Sequence, residues 1–314
     1  GSVYISDAYR NCVEKFSACG DMVATWGTQG SANGQFNQPR GVAVGPDGSV
    51  YIADCSNHRI QKFSPLGEFV TAWGSPGSDH GQFAGPTAVS VGADGAVYVA
   101  DTENHRIQRF TSSGGFVATW GTQGNGGLEF RNPSGVAVGP DGSVYVSDSG
   151  NNLIKQFSAS GNFITLWGAA GTDKGEFDTP AGLFVSEDGT VYVADCNNNR
   201  IQTFTSSGEF VAAWGTPGLA HSSFTHPVTV GLGPDDSIYV AEVATFDEPS
   251  GRIQKLDANG HILDVWKTAG NDNGRFMDPM SIAIAPEGSI YVVDTGNNRL
   301  QKFTATAEFV TAWG

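Results

Sequence analysis

PRGVAVGPDGSVYIADCSNHRIQKFSPLGEFVTAWG, residues 39–74, decides the fold because it recurs with little change to the last residue of the chain. Its Asp54 returns as Asp7, Asp101, Asp148, Asp195 and Asp294, with Glu242 standing in once. Its Trp73 returns as Trp26, Trp120, Trp167, Trp214, Trp266 and Trp313, so all 7 Trp occupy one repeat position. Successive spacings are 47 residues, except one of 52 where five residues are inserted within 243–249. A fixed period of this length marks stacked or radial repeats, in which one unit alone cannot bury its faces.

Within one unit, GVAV (41–44) predicts a short strand of small residues, and the Asp-Gly of GPDGS predicts a hairpin turn. VYIAD (50–54) is a second strand, CSNH turns the chain, and RIQKF (59–63) alternates as a half-buried third. SPLGE turns again and FVTAWG (69–74) is the fourth, after which SPGSDHGQF leads to the next unit. Four short antiparallel strands per period make the blade of a β-propeller. Small residues in the first strand suit the crowded axis. The recurrent Trp and the loop Phe (Phe36, Phe83, Phe130, Phe177, Phe224, Phe276) are expected between blades, and the recurrent Tyr in the core.

The GVAVGPDGSVYIADCSNHRIQKF unit resembles the NHL repeat, with NHR at 57–59 and 104–106 as the namesake turn. The resemblance covers essentially the whole chain and implies an all-β propeller of four-stranded antiparallel blades, residues 1–314 forming a single domain. Propellers of that kind serve as protein-binding and RNA-binding modules, and a few are enzymes; fold alone does not choose among these. The inner strand with its Pro occurs six times (Pro39, Pro86, Pro133, Pro180, Pro227, Pro279), while the other three strands occur seven times. Six full repeats plus a three-stranded partial repeat at 3–26 are therefore expected, with seven blades preferred over six. An unpaired strand edge is a template for another chain, so this end is expected to be covered by flanking residues, by the last blade or by a neighbouring molecule.

Composition narrows the partners. No apolar run reaches the ~20 residues that span a bilayer, so membrane insertion is not expected. Residue 1 already lies inside a repeat, so any leader is expected to have been removed or to lie outside this chain. The net charge of −15 opposes nucleic acid phosphate, and the 17 Lys and Arg form no basic run. A protein or carbohydrate ligand, or self-association, is the expected partner. Resemblance to acidic repeat proteins implies an extracellular or cell-surface setting, where many of them lie. No zinc spacing joins the four cysteines. Cys12 and Cys19 bracket one strand about 20 Å long, so free thiols are expected.

Asp54 with Arg59, Asp101 with Arg106, Asp195 with Arg200 and Asp294 with Arg299 read as ion pairs that tie down a loop. Asp7 faces Cys12 and Asp148 faces Leu153, so these two carboxylates are expected to lose that partner. Resemblance to the amidating lyases of the NHL-like group implies zinc-binding histidines after the repeat prolines. Here those positions hold Arg40, Thr87, Ser134, Ala181, Val228 and Met280, so no metal or cofactor is expected. The seven-bladed streptogramin lyases are a second comparison, whose catalytic His motif has no residue-by-residue match in this chain. The repeat departs most at 221–252, where His221, His226, Glu242, Phe246, Asp247 and Glu248 are the candidate ligand-binding residues, Phe246 as an aromatic anchor within an acidic rim. The expected function is non-enzymatic binding, a scaffold engaging its ligand through loops on one face. A metal-dependent lyase or hydrolase-like propeller and a self-assembling structural protein are the alternatives.

Overall fold

The computed structural model describes all residues except 1, 18–20, 216–223, 244–250, 268–269, 286 and 314. The described residues form seven antiparallel sheets, each a meander of consecutive strands. Six have four strands, and the sheet of Val3–Asp7, Cys12–Phe16 and Met22–Trp26 has three. The architecture is thus a seven-bladed β-propeller, and the six-bladed alternative is set aside because residues 3–26 build a blade of their own. Blades 1 to 7 cover residues 3–26, 39–73, 86–120, 133–167, 180–214, 227–267 and 279–313. No helix among the described residues is long and apolar enough to cross a membrane.

Blade 2 shows how the repeat builds each sheet. Its strands are Pro39–Val44, Val50–Asp54, Arg59–Phe63 and Phe69–Trp73. The inner strand starts two residues before the GVAV pattern, because Pro39 pairs with Asp54 across an irregularity that ends at Val42. Gly45 N–H donates to the Ser49 carbonyl at 2.8 Å, closing the first turn. At the second turn a short 3-10 segment, Cys55–Asn57, ends on His58 in the left-handed region, φ +53°.

The core lies between blades as well as within them. Phe110 of blade 3 sits 5.8 Å from Trp73 of blade 2, 5.5 Å from Phe83 and 6.0 Å from Phe116. Gly114 crosses the face of Trp73, where a Cβ would come within 2.5 Å of the indole, and its φ of +87° also requires glycine. The Tyr51 hydroxyl donates to the Ser112 carbonyl of the next blade at 3.2 Å, and Tyr98 and Tyr145 repeat this bond to Ala159 and Ser206. At the axis a Cβ on Gly41 would meet the Ala88 backbone at 2.9 Å, which explains the small residues there. Blade 7 closes on blade 1 in the same way: Phe16 lies 4.5 Å from Trp313, and the Tyr291 hydroxyl donates to the Ser17 carbonyl at 3.1 Å.

Cys12, Cys55 and Cys196 are free and buried, and Cys19 lies outside the described residues. Desolvation, with the nearby carboxylates adding to it, pushes the Cys12 and Cys196 thiols up to about 12. Neither is a thiolate nucleophile at neutral pH.

Candidate functional site at the axis mouth

The repeat carboxylates hold the loops that link blades. Asp54 is fully buried and accepts the Asn37 N–H at 2.7 Å, Arg59 Nε at 2.7 Å and Gln61 Nε2 at 3.0 Å. Arg59 in turn donates to the carbonyls of Ser31, Ala32 and Gln35, so one ion pair fastens a whole loop. Asp101 with Arg106, Asp195 with Arg200 and Asp294 with Arg299 repeat the arrangement. These groups are used up by the fold.

The two carboxylates expected to lose a partner differ. Asp148 is not orphaned: Lys155, at the position of Gln61, reaches it at 2.7 Å, both side chains being fully buried. The Lys155 ammonium also donates to the carbonyls of Gly126 and Glu129, replacing the absent arginine. The facing-pair comparison missed this because the compensating residue lies two positions along the strand, on the same face. Asp7 is part-buried and accepts the N–H groups of Tyr9 and Arg10 at 2.9 and 2.7 Å.

Among the candidate ligand residues, Glu242 is fully buried at the repeat-Asp position. It accepts Arg252 Nε at 2.9 Å, Gln254 Nε2 at 2.5 Å and the Thr225 N–H at 2.6 Å. That is a structural role, away from any exposed surface. Desolvation raises its carboxyl from an ordinary 4.5 to about 7, with Arg252 acting in the opposite direction. The unfolded chain therefore ionises this group near 4.5, while the fold keeps it protonated until about 7. Rising pH through that window favours unfolding. Relative to Glu242→Gln, the native chain should lose stability as pH rises through that window. Urea titrations of both proteins at several pH values check this, and a pH-independent difference would refute it.

His226 is part-buried at the axis end of blade 6; its N–H donates to Asn199 Oδ1 at 2.7 Å. His221, Phe246, Asp247 and Glu248 lie outside the described residues. The histidines of the NHR turns are structural acceptors. His58 Nδ1 takes the Gly85 N–H at 3.1 Å and His105 Nδ1 takes the Asn132 N–H at 3.0 Å. Asn11, Asn152 and Asn199 perform the same inter-blade task through Oδ1. The alternation of His and Asn at one repeat position was the signal in the sequence. Asparagine also tolerates the left-handed φ of +55° at this turn. His105→Asn should accordingly change stability by less than about 0.5 kcal/mol, and His105→Ala should cost about 1–2 kcal/mol. Thermal melts of the two variants distinguish these outcomes.

What remains exposed at this end of the axis is the non-repeating chemistry. The positions after the repeat prolines and carboxylates are partly tied by hydroxyls: Thr87 to Thr102 at 2.6 Å, and Ser134 to Ser149 at 2.5 Å. Around them Arg40, Glu103, Arg131, Asp178, Met277 and Met280 are exposed, and the side-chain charges alternate in sign through blades 2 to 5. At the opposite end a cavity of about 240 Å³ lies among Val91, Val138, Val185, Ala93, Pro140 and Glu187. Among the described residues no group of three or more His, Cys, Asp or Glu is placed to hold a metal ion.

Ring and mouth together define a propeller whose repeat residues support the scaffold and whose end face carries the variable chemistry. The sequence matches the virginiamycin B lyase family over residues 28–312, and the chain belongs to that family. This is the family the match identifies, in place of the NHL repeat that the motifs resemble. Among curated proteins no sequence matches. A streptogramin B lyase structure superposes with a TM-score of 0.73 at 17% identity, covering 94% of this chain and 87% of that one. A catalytically inactive virginiamycin B lyase from Staphylococcus aureus, with quinupristin, gives 0.73 at 18% identity, covering 96% and 90%. A functionally unknown protein from Desulfotomaculum acetoxidans gives 0.69 at 15% identity, covering 99% and 94%. At these identities the likeness is one of fold.

Proposed function

We propose that this chain is a non-enzymatic recognition propeller that engages a protein or carbohydrate ligand at the axis mouth. One observation carries the reading: the repeat's ionisable residues are spent in buried blade ties, while Arg40, Glu103, Arg131, Asp178 and Met280 stand exposed around that mouth. An alternating polar rim beside an exposed Met suits a surface that orients a partner through rim charges. The NHL-like motif of the repeat supports the same reading, and a net charge of −15 disfavours nucleic acid as the partner.

Family membership supports a second reading, a lyase. In that reading His226, beside Pro227 at the mouth, is the candidate proton acceptor. Incubation with virginiamycin B or quinupristin, the compounds named for the family and for one structural relative, separates the two. The expected result is intact compound after prolonged incubation at micromolar protein. Turnover that His226→Ala abolishes would replace the recognition reading with the lyase.

A further inference from the structure

The repeat is broken at one turn on the end of the axis away from the ligand rim. The turn that leaves each inner strand reads Gly45, Pro46, Asp47 in blade 2, Gly92, Ala93, Asp94 in blade 3 and Gly139, Pro140, Asp141 in blade 4. Blade 5 reads Ser186, Glu187, Asp188 instead. Glu187 thus places an exposed carboxylate where those turns, and that of blade 6, hold Pro46, Ala93, Pro140 and Pro234.

That turn borders the cavity of about 240 Å³, whose lining comes entirely from blades 3, 4 and 5. Val91, Val138 and Val185, the last residues of three successive inner strands, make its apolar wall. Ala93 and Pro140 extend the wall from exposed turns. Among the described residues, Glu187 is the one ionisable group in the lining. The neighbouring Ser186 hydroxyl donates to Asp188 Oδ1 at 2.5 Å, so it is engaged within its own turn.

The charge around the cavity departs from the repeat as well. In blades 2, 3 and 6 a cation on the third strand reaches the turn carboxylate: Lys62 to Asp47 and Arg109 to Asp94 at 3.4 Å, and Lys255 to Asp235 at 3.2 Å. Gln156 and Thr203 hold that position in blades 4 and 5. Asp141 accepts the Ser143 N–H and hydroxyl at 2.9 and 2.8 Å, and Asp188 accepts the Thr190 N–H at 3.0 Å. The Ser186 hydroxyl, and then the Thr190 N–H, hold the Asp188 carboxyl below its usual range, so it stays anionic. Asp141, Glu187 and Asp188 therefore occupy two adjacent turns that lack the third-strand cation.

We propose that this cavity binds a small organic ammonium ion, its aliphatic body against Val91, Val138 and Val185 and its charge on Glu187. The volume falls below the roughly 300–1,000 Å³ of drug-sized sites, so a ligand of about six to eight heavy atoms fits. A neutral hydrocarbon would leave Glu187 beside apolar surface without a counter-charge. An anion is repelled by the same carboxylates. Calcium and magnesium ions demand more oxygen ligands than one lining carboxylate supplies. Glu187 is exposed, so its attraction chiefly orients the ammonium group, while burial of the aliphatic body adds to it. The site lies at the opposite end of the axis from the ligand rim and does not depend on the recognition reading.

The test titrates n-hexylammonium chloride into the whole chain carrying isotope-labelled valine methyls. The Val91, Val138 and Val185 methyl resonances should shift together and saturate, with Kd on the order of 1 mM. Hexan-1-ol has the same body without the charge, and methylammonium has the charge without the body. Each should bind at least about 3-fold more weakly. Glu187→Gln should lower hexylammonium affinity to that of hexan-1-ol. Ala93→Phe, which fills the cavity from an exposed turn, should abolish saturation, and both variants should keep the native Tm. Equal affinity for hexylammonium and hexan-1-ol, or undiminished affinity in Glu187→Gln, overturns the proposal. So does a native chain that shows no saturation by about 50 mM. Shifts spread over the whole surface in place of these three methyls overturn it too, because they mark general attraction of a cation to a chain of net charge −15.

Discussion

Lys155→Met is expected to cost about 3–5 kcal/mol of stability, a fall in Tm of roughly 5–8 °C for a chain of this length. Lys155 and Asp148 are both fully buried and 2.7 Å apart. Methionine fills similar volume but leaves a buried carboxylate without its counter-charge, which costs far more than the pair itself contributes. The Asn151 amide and the Arg131 N–H remain on Asp148 at 2.8 and 2.7 Å, so the group stays hydrogen-bonded while losing its cation. The other blades supply the rescue. Restoring the arrangement of Arg59 and Gln61, through Leu153→Arg together with Lys155→Gln, should return stability to within about 1 kcal/mol of native. A single variant that melts like the native chain would show that the ion pair is not what holds this loop.

Phe110→Ala should be comparably damaging, at about 3–5 kcal/mol. Phe110 is 1% exposed and touches Trp73 of the preceding blade as well as Phe83 and Phe116. Its removal leaves a cavity between two blades that the rigid sheets on either side cannot close. Two comparisons isolate that cause. Phe116 is 37% exposed, so Phe116→Ala should cost about 1 kcal/mol. Blade 6 carries Leu256 at the Phe110 position, 1% exposed, so Phe110→Leu should cost less than about 1.5 kcal/mol. Equal losses for Phe110→Ala and Phe110→Leu in urea titrations would point to an aromatic requirement rather than to filled volume.

The blades were legible because their signals are local. Alternation in RIQKF, the Asp-Gly turn and a Trp every 47 residues need no knowledge of distant neighbours. Comparing equivalent positions also predicted the Asp–Arg pairs, since strand pairing places residues five apart across one short turn. The method failed at Asp148, where Lys155 substitutes from the next same-face position rather than from the facing one. It also marked Glu242 as a departure open to ligand, although the longer side chain occupies the buried position and keeps the same partners. Sequence comparison records that a residue has changed, but not whether the new atom reaches the old site.

The period, the strand pattern within each repeat and the inventory of twenty-seven strands are properties of the sequence itself, because backbone preference and polar–apolar alternation act over a few residues. The number of blades was decided only in three dimensions. Residues 3–26 carry the same local pattern in a six- or seven-bladed ring, and the choice falls to contacts 275 or more residues apart, where Phe16 meets Trp313 and Tyr291. Tertiary structure likewise separated the carboxylates spent on the scaffold from the side chains left exposed at the axis mouth. That distinction depends on burial, which neighbouring blades impose and no single repeat contains.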